Sequence, residues 1–315
     1  LEQTETLLAK VTANHGARFA QHAGDTLAAG GKRLRPMLVF LCASGAARAD
    51  ALATRADVVP ADLLRAAAAV ELLHMASLVH DDVLDRAALR RGRPTVFAAG
   101  GRQLATASGD FLFARAFAEL AASGDAAALR ALSDAASALV RGELMQRADA
   151  WSADVTSARY LERCRLKTGS LFEASCRLGV LLGGDPQLAA ALGNFGGQVG
   201  LAFQLLDDVL DIAGPTERTG KPRGADLLDG TVTLPLIIAR KHDSRLRDLR
   251  SAVTDAASAA AACARIEATG ALVEARTQAL ELVAAAKASL RALELPDRRG
   301  RALELVADGV VDRYA

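Results

Sequence analysis

The sequence Asp81-Asp82-Val83-Leu84-Asp85 ends a long apolar segment that begins near Pro60, and the same five residue types recur as Asp207-Asp208-Val209-Leu210-Asp211. In an α-helix, residues four apart lie on one face, so each copy presents a local pair of repelling carboxylates. Such clustered acids need water, cations or basic partners, because buried unpaired charge is costly. Divalent ions such as Mg²⁺, held by one or two carboxylates and substrate phosphates, would compensate them. The repeat therefore predicts a metal-dependent site.

Alanine- and leucine-rich segments with apolar residues three and four apart fill most of the 315-residue chain. This spacing favours helices, and no convincing strand alternation appears. No linker, low-complexity tract or change in composition divides the sequence, so we expect one all-α domain over residues 1–315. The predicted helices cover approximately residues 34–47, 60–84, 104–122, 126–147, 158–182, 186–211 and 271–293.

Both aspartate motifs are predicted to lie at the C-terminal ends of helices, after segments opened by Pro60 and by Asp185-Pro186. A helix C-terminus carries partial negative charge, so carboxylates are unfavourable there unless a cation is bound. Acids at positions where local electrostatics disfavours them indicate a functional site.

Three loops rich in glycine and proline carry basic residues. Acids at the neighbouring helix ends would hold metal, whereas guanidinium groups bind phosphate oxygens in bidentate fashion and lysine acts as a point charge. The predicted ligand is a diphosphate complexed with metal. The third loop is long enough to form a lid. These loops run from Gly30 to Pro36, from Arg90 to Thr95 and from Gly214 to Gly230.

Charge and cysteine content exclude several other classes. The net charge is +1 with acids and bases interspersed, which argues against a nucleic-acid partner. The four cysteines are far apart and lack zinc-ligand spacing, so we expect reduced core residues. No secretory leader is recognisable and charges interrupt the apolar runs, so we expect a cytoplasmic protein without stable membrane insertion.

Several further motifs follow one another over nearly the whole chain. They are Gly31-Lys32-Arg33-Leu34-Arg35-Pro36, His74 through Asp85, Arg90 through Thr95, Gly109-Asp110-Phe111-Leu112, Lys167-Thr168-Gly169-Ser170-Leu171-Phe172, Phe203-Gln204-Leu205-Leu206-Asp207-Asp208 and Asp229 through Pro235. This ordered set resembles the trans-type isoprenyl diphosphate synthases, or polyprenyl synthetases, whose aspartate motifs are known as DDxxD. One DDxxD alone would be weak support, whereas the set in order is specific.

The resemblance implies a single helical bundle around a deep central cavity, the isoprenoid synthase type I fold, in a homodimer. It also implies three Mg²⁺ ions, with Mn²⁺ as an alternative, bound with the substrate diphosphate. By position, Asp81 and Asp85 would ligate two ions and Asp207 the third. The remaining motif acids would orient ligands or waters, namely Asp82, Asp208 and Asp211.

The reaction implied is ionisation of an allylic diphosphate, attack by the double bond of isopentenyl diphosphate and loss of a proton to form a trans double bond. The diphosphate leaves and is the expected base. Polar oxygens of Thr168 and Gln204 would lie near the cation. The residues implied for the leaving diphosphate are Arg90, Lys167 and Lys221, and those for isopentenyl diphosphate are Lys32, Arg35, His74 and Arg91.

Two departures from the family pattern concern the basic residues. Gly230-Thr231 stands where the family usually has Gly-Lys, and we expect Lys221 or Arg223 to compensate. The C-terminal tail carries only Arg313 where some members have a more basic closing segment.

Product length is predicted from the helix rise, because one turn of about 5.4 Å is close to the length of one extended C5 unit. Ala76 and Ser77, one turn before Asp81, are small where short-product members tend to carry aromatic residues, so we expect a product longer than C20. Leu72 and Leu73 come next, and we expect an alanine-rich facing wall around Ala135, Ala136 and Ala138. The alternatives are a short-chain (C15–C20) synthase, a class I terpene cyclase and a catalytically silent subunit of a heteromeric synthase.

Overall fold

The computed structural model describes residues 1–13, 31–43, 59–90, 92–214 and 223–312, and these residues are almost entirely helical. They form two compact units. The first comprises residues 1–136 and 171–196, and the second comprises residues 137–170 and 197–315. The all-α prediction is confirmed, while a single domain over the whole chain stays a prediction.

The helices are numbered in chain order. They are α1 (Glu2–Ala13), α2 (Leu34–Cys42), α3 (Ala61–Leu84), α4 (Val96–Ala121), α5 (Ala126–Ala148), α6 (Ser157–Cys164), α7 (Ser170–Gly183), α8 (Ala189–Ala213), α9 (Ala225–Leu228), α10 (Leu234–Ala239), α11 (Ala256–Ala268), α12 (Ala271–Arg291) and α13 (Asp297–Asp312). A π-helical turn covers Arg165–Gly169, 3₁₀ turns cover Pro186–Leu188 and Ser244–Leu246, and two short strands, β1 (Leu89–Arg90) and β2 (Arg93–Pro94), pair antiparallel.

The first unit is built around α3, which packs chiefly against α4 and also contacts α1 and α2. Most side chains of α3 are buried, because apolar residues occupy all sides of this helix over several turns. Gly109 allows α4 to approach closely: a Cβ there would lie 2.2 Å from His80 Nε2. This close contact holds the end of α3, where the first aspartate motif lies.

The α3 helix is also long and apolar enough to cross a membrane, the one such helix among the described residues. However, 67% of its most apolar window is buried inside the protein. It is therefore a core helix of the first unit.

In the second unit, α10 packs against α12, and α12 against α13. Its core contains the buried side chains of Leu205 and Leu206 from α8 and of Leu236 and Ile238 from α10. This burial leaves the polar side chains of α8 near its C-terminal end, where the second aspartate motif lies.

Several helix limits differ from the sequence prediction. The helix predicted over 104–122 begins at Val96 and contains a kink at Gly101, whose φ of 75° is non-helical. A π turn interrupts the helix predicted over 158–182. Asp185 makes no side-chain capping hydrogen bond, and a 3₁₀ turn precedes α8 instead. The β1–β2 ladder was not predicted, because two-residue strands are too short to show alternation.

Candidate active site

The first aspartate motif closes α3 in the first unit. Its helix ends at Leu84, and the Asp85 backbone N–H donates to the Asp81 carbonyl oxygen at 2.8 Å. Asp81 and Asp85 are half-buried, whereas Asp82 is only 4% exposed. The expected placement at a helix C-terminus is therefore confirmed, and the three acids are not equivalent.

Asp82 binds the first arginine of the basic loop. Arg90 donates from Nε at 2.9 Å to the carboxylate oxygen Oδ1, and its Nη2 forms an ion pair with the same oxygen at 2.8 Å. This ion pair compensates the buried acid and fixes the guanidinium directly beside the motif. Arg91 lies outside the described residues.

The loop before α2 is held by two ion pairs, of which the one with Glu71 is buried. Arg33, in a left-handed conformation with φ 48°, donates to Glu5 of α1 and at 2.6 Å to Glu71 of α3. The guanidinium of Arg35 lies over the Phe172 ring at 4.6 Å, and its Nε is buried without a hydrogen-bond partner. Burial lowers the pKa of Arg35 to about 10, although Glu71 opposes this shift. Arg35 thus remains a cation at neutral pH, with a donor left for an anion.

The remaining polar residues of the motifs in this unit differ in their exposure and in their partners. Lys32 is exposed, His74 is half-buried, and Ser77 donates to the His74 carbonyl oxygen at 2.8 Å. His80 lies 3.2 Å from Asp110 and stacks on Phe113. Its surroundings are therefore those of a packing residue at the end of α3.

Most of the positions predicted to control product length lie in one buried cluster. Ala76 is fully buried and Ser77 is 9% exposed. Leu72, Leu73, Ala76, Ala135 and Ala136 belong to the same hydrophobic core cluster, which confirms that small residues of α5 lie in the core with α3. Ala138 is half-buried and lies in the second unit.

The second aspartate motif lies in the last turns of α8, in the second unit. As in the first copy, the outer acids Asp207 and Asp211 are half-buried and the second acid, Asp208, is 4% exposed. Asp211 Oδ2 accepts from the Asp226 backbone N–H at 3.3 Å. The two copies thus share one pattern of burial.

Asp208 receives hydrogen bonds on both carboxylate oxygens. Tyr160 Oη donates to Oδ2 at 2.6 Å, and Gln204 Nε2 donates to Oδ1 at 2.8 Å. Thr168 Oγ1 in turn donates to Gln204 Oε1 at 2.8 Å. Burial, with a contribution from Asp226, raises the pKa of Asp208 to about 7 despite these bonds. Burial and then Asp208 raise the pKa of Tyr160 well above its usual range.

The π-helical turn Arg165–Gly169 presents Lys167 and Thr168. Such turns occur frequently at functional sites. Gly142 permits the approach of α5, because a Cβ there would lie 2.5 Å from the Lys167 backbone nitrogen. Lys167 Nζ pairs with Glu143 and lies 3.3 Å from Gln146 Oε1. Burial acts to raise the pKa of Glu143, but Lys167 and, to a smaller extent, Arg147 lower it. Glu143 therefore stays ionised beside the lysine.

The departure at Thr231 has a structural counterpart. Gln146 Nε2 lies 3.5 Å from Thr231 Oγ1, so this glutamine lies between Thr231 and Lys167. Arg223, expected to compensate for the missing lysine, instead donates to the Ile212 carbonyl at the end of α8 and at 2.6 Å to Glu267. It is engaged in capping that helix. Lys221 and Arg313 lie outside the described residues.

The sequence alone assigned no individual role to five residues that hold the predicted site residues in place: Glu71, Glu143, Gln146, Tyr160 and Phe172. Glu143 and Gln146 lie one helical turn apart, and Tyr160 precedes Lys167 by seven residues, so a search for polar residues at helical spacing was a usable signal. Glu71 and Phe172 lie far from their partners in sequence and gave none.

The aspartates of the two motifs suit a metal ion that binds together with the substrate diphosphate. Among the described residues, no three His, Cys, Asp or Glu side chains come close enough to hold an ion by themselves. In each motif the first and fifth acids are half-buried, and the second is buried and bonded to Arg90 in one copy and to Tyr160 and Gln204 in the other. Mg²⁺ commonly takes one or two carboxylates together with waters and substrate phosphates, which suits this arrangement.

Comparison with known proteins places the chain among relatives of one type. Residues 17–268 match the family model described as polyprenyl synthetase. Heptaprenyl diphosphate synthase component 2 of Geobacillus stearothermophilus is 42% identical over 251 residues, covering 78% of this chain and 75% of that protein. A short chain isoprenyl diphosphate synthase of Methanothermobacter thermautotrophicus is 34% identical over 322 residues, covering 99% of this chain and 94% of that protein.

Among solved structures, a polyprenyl synthase of Caulobacter crescentus complexed with calcium and isoprenyl diphosphate superposes with a TM-score of 0.89. It is 34% identical, and the match covers 100% of this chain and 94% of that one. The similarity therefore extends over sequence and fold together.

Proposed function

The chain belongs to the polyprenyl synthetase family and is a prenyl diphosphate synthase, and we propose that it extends an allylic diphosphate with isopentenyl diphosphate to trans products longer than C20. The observation that carries this proposal is the shared arrangement of the two motifs. In each, the second acid is buried and hydrogen-bonded while the first and fifth are half-buried. That pattern places two half-buried carboxylates of each motif beside the cationic or polar groups that bind the second acid.

The family is metal-dependent, and Asp81, Asp85 and Asp207 are the proposed ligands of three Mg²⁺ ions. Bound ions would supply Lewis-acid stabilisation of the charge that develops on the leaving diphosphate. Asp82 and Asp208 serve a different purpose, because Oδ1 of Asp82 binds Arg90 and both oxygens of Asp208 accept hydrogen bonds, from Tyr160 and Gln204.

Arg90 and Lys167 bind the leaving diphosphate in this proposal, each with a carboxylate that holds it in place, Asp82 and Glu143 respectively. When the allylic C–O bond breaks, the electron pair stays on the diphosphate oxygen. Preorganised cations favour that charge without reorganising during the reaction. The family resemblance also implies Lys221 as a third cation that binds this diphosphate.

Isopentenyl diphosphate binds to Lys32, Arg35, His74 and Arg91 in the proposal, of which the first three are described. The buried Nε of Arg35 has no hydrogen-bond partner, which suits it to an anion. The double bond of isopentenyl diphosphate then forms the new C–C bond, and the departing diphosphate accepts the proton lost from C2 of the isopentenyl unit.

The product exceeds C20 because the first turn before Asp81 carries Ala76 and Ser77 rather than bulky side chains. The name of the heptaprenyl relative supports a long product, whereas that of the short-chain relative makes length the property to measure first. We also propose a cytoplasmic homodimer. Val140 and Leu144, one turn apart on α5, are 46% and 64% exposed, which supports an apolar contact between subunits.

A second candidate is an active component of a two-component synthase, which the name of the heptaprenyl relative favours. The two candidates differ in whether the chain turns over alone. The ordered acids of both motifs argue against a silent subunit.

The test is to incubate the purified chain with Mg²⁺, isopentenyl diphosphate and allylic primers of C5, C10, C15 and C20, and to size the products. Products longer than C20 support the proposal, and products that stop at C15 or C20 indicate a short-chain synthase. Cyclic hydrocarbon without isopentenyl uptake would contradict it. Turnover only after addition of a second protein would support the two-component alternative. Light scattering of the same sample reports the oligomeric state.

A further inference from the structure

Tyr160 is a buried residue to which neither the motifs nor the proposed reaction assigns a role. It lies on α6 with no exposed surface, and its hydroxyl donates to Asp208 Oδ2 at 2.6 Å. The guanidinium of Arg163 lies 5.1 Å from the ring centroid and donates to the Val232 carbonyl oxygen at 2.7 Å. The ring is therefore fixed in place, and its hydroxyl points at the second aspartate motif.

The hydrogen bonds beyond Asp208 follow one direction. A phenol keeps its proton at neutral pH, so when Asp208 is ionised Tyr160 must be the donor to its carboxylate. The other carboxylate oxygen lies 2.8 Å from Gln204 Nε2, which donates, so the amide oxygen of Gln204 points away from Asp208. That oxygen lies 2.8 Å from Thr168 Oγ1, which must donate its only proton to it.

Gln204 and Thr168 form the outer end of this chain of hydrogen bonds. With its proton engaged, Thr168 offers only lone pairs to any further neighbour, and Gln204 Oε1 retains one lone pair. Acceptors without a free proton stabilise positive charge and cannot donate to a competing anion. The orientation of both groups depends on the buried end, because a reversed Gln204 amide would place its oxygen against the Asp208 carboxylate.

We propose that Tyr160 is a positioning residue that, through Asp208, orients Gln204 and Thr168 so that only acceptor oxygens face the allylic cation. The proposal rests on the proposed prenyl transfer, because it assumes that a cation forms beside Thr168. Tyr160 itself touches no substrate.

The direct test compares binding of two unreactive allylic diphosphate analogues in the presence of Mg²⁺, one with an ammonium nitrogen at the cationic carbon and one a neutral carbon isostere. Calorimetry on the full chain gives the ratio of the two affinities. Tyr160→Phe keeps the ring over Arg163 and removes only the hydroxyl. The expected result is a loss of about tenfold in preference for the cationic analogue, the size of one charged hydrogen bond.

Ser175→Ala is the matched control, because Ser175 is also fully buried. The substitution removes one hydrogen bond, to the Leu171 carbonyl oxygen, which lies outside the site. Its preference for the cationic analogue should equal that of the wild type. Thr168→Val should reduce the preference, and the double variant with Tyr160→Phe should lose no more than Thr168→Val alone, because both act through one chain.

Additive losses in the double variant, an unchanged preference in Tyr160→Phe, or unfolding of Tyr160→Phe while Ser175→Ala stays folded would each overturn the proposal. Product formation by the wild type is measured in parallel. If the wild type makes no prenyl product, the proposed function itself fails. If it does and the preference is unchanged in Tyr160→Phe, only the role of Tyr160 fails.

Discussion

Arg90 donates a hydrogen bond from Nε, at 2.9 Å, to one oxygen of the buried Asp82 carboxylate, and its Nη2 lies 2.8 Å from the same oxygen. The second acid of the first motif is therefore the anchor of the first arginine that follows it. In the second motif the equivalent acid, Asp208, is anchored by Tyr160 and Gln204. Identical pentapeptides thus use their second acid in the same way but with different partners.

Asp82→Asn should lower kcat by about 10- to 100-fold, as loss of a group that orients a ligand typically does, because Arg90 loses its charged partner. Steady-state kinetics with a varied allylic substrate measures the effect. Asp62→Asn is the control, since Asp62 forms a 3.3 Å pair with Arg65 on the same helix but outside the site. Equal losses in both variants would contradict a specific role for Asp82.

Asp81→Ala and Asp207→Ala should each reduce turnover by at least about 10²-fold, because each removes a proposed ligand for charge-stabilising ions. Helicity by circular dichroism should be unchanged, since both side chains are half-buried and lie at helix ends. The exposed Asp134 of α5 provides the comparison as Asp134→Ala, expected to retain activity. Loss of helical signal in both motif variants would show instead that the acids serve the fold.

Ser77→Phe should shorten the product, because a ring one turn before Asp81 would obstruct growth at that level. The product distribution from a C15 primer, resolved by chromatography, is the measurement. Ser77→Ala removes the 2.8 Å hydrogen bond to His74 without adding bulk and should leave the distribution unchanged. The geometry is wrong if both variants give the wild-type product.

Glu71→Gln should raise KM for isopentenyl diphosphate by about tenfold and lower Tm, because Arg33 would lose a buried partner at 2.6 Å and the Lys32–Arg35 loop its tie to α3. Glu5→Gln removes the other, more exposed partner of Arg33 and should have the smaller effect. An unchanged KM in Glu71→Gln would separate this ion pair from substrate binding.

Asp243 gives a prediction for the pH dependence of stability. Hydrogen bonds from Arg245 and Arg265 hold the pKa of Asp243 well below its usual range. A lowered folded-state pKa stabilises the fold fully above the unfolded pKa of about 3.9 and progressively less below it. The difference in urea midpoint between wild type and Asp243→Asn should therefore be equal at pH 7 and 5.5 and smaller at pH 3.

The control for this experiment is Asp134→Asn, with midpoints expected to match the wild type at each pH. A difference that grows as the pH falls to 3 would have the wrong sign for a carboxylate with a lowered pKa.

Much of the fold was predictable because helix formation depends on near neighbours. Apolar spacing located α3, α5 and α12 to within about two to four residues. The π turn that presents Lys167 was not predictable, because its sequence also suits an ordinary helix and its close approach to Gly142 is a tertiary contact. Arg223, one of two residues expected to compensate for Thr231, binds the end of α8 and Glu267, a partner forty-four residues away.

The sequence by itself determined the all-α class, the two acidic helix ends and the basic motifs that follow the first of them, because these features depend on residue spacing and local charge. Only the tertiary structure decided which acids are buried and what binds them. Asp81 and Asp82 are adjacent and identical, yet helix geometry directs them to different surroundings. Tyr160 meets Asp208 across forty-eight residues of sequence, a contact that depends on which helices pack together and that no local pattern encodes.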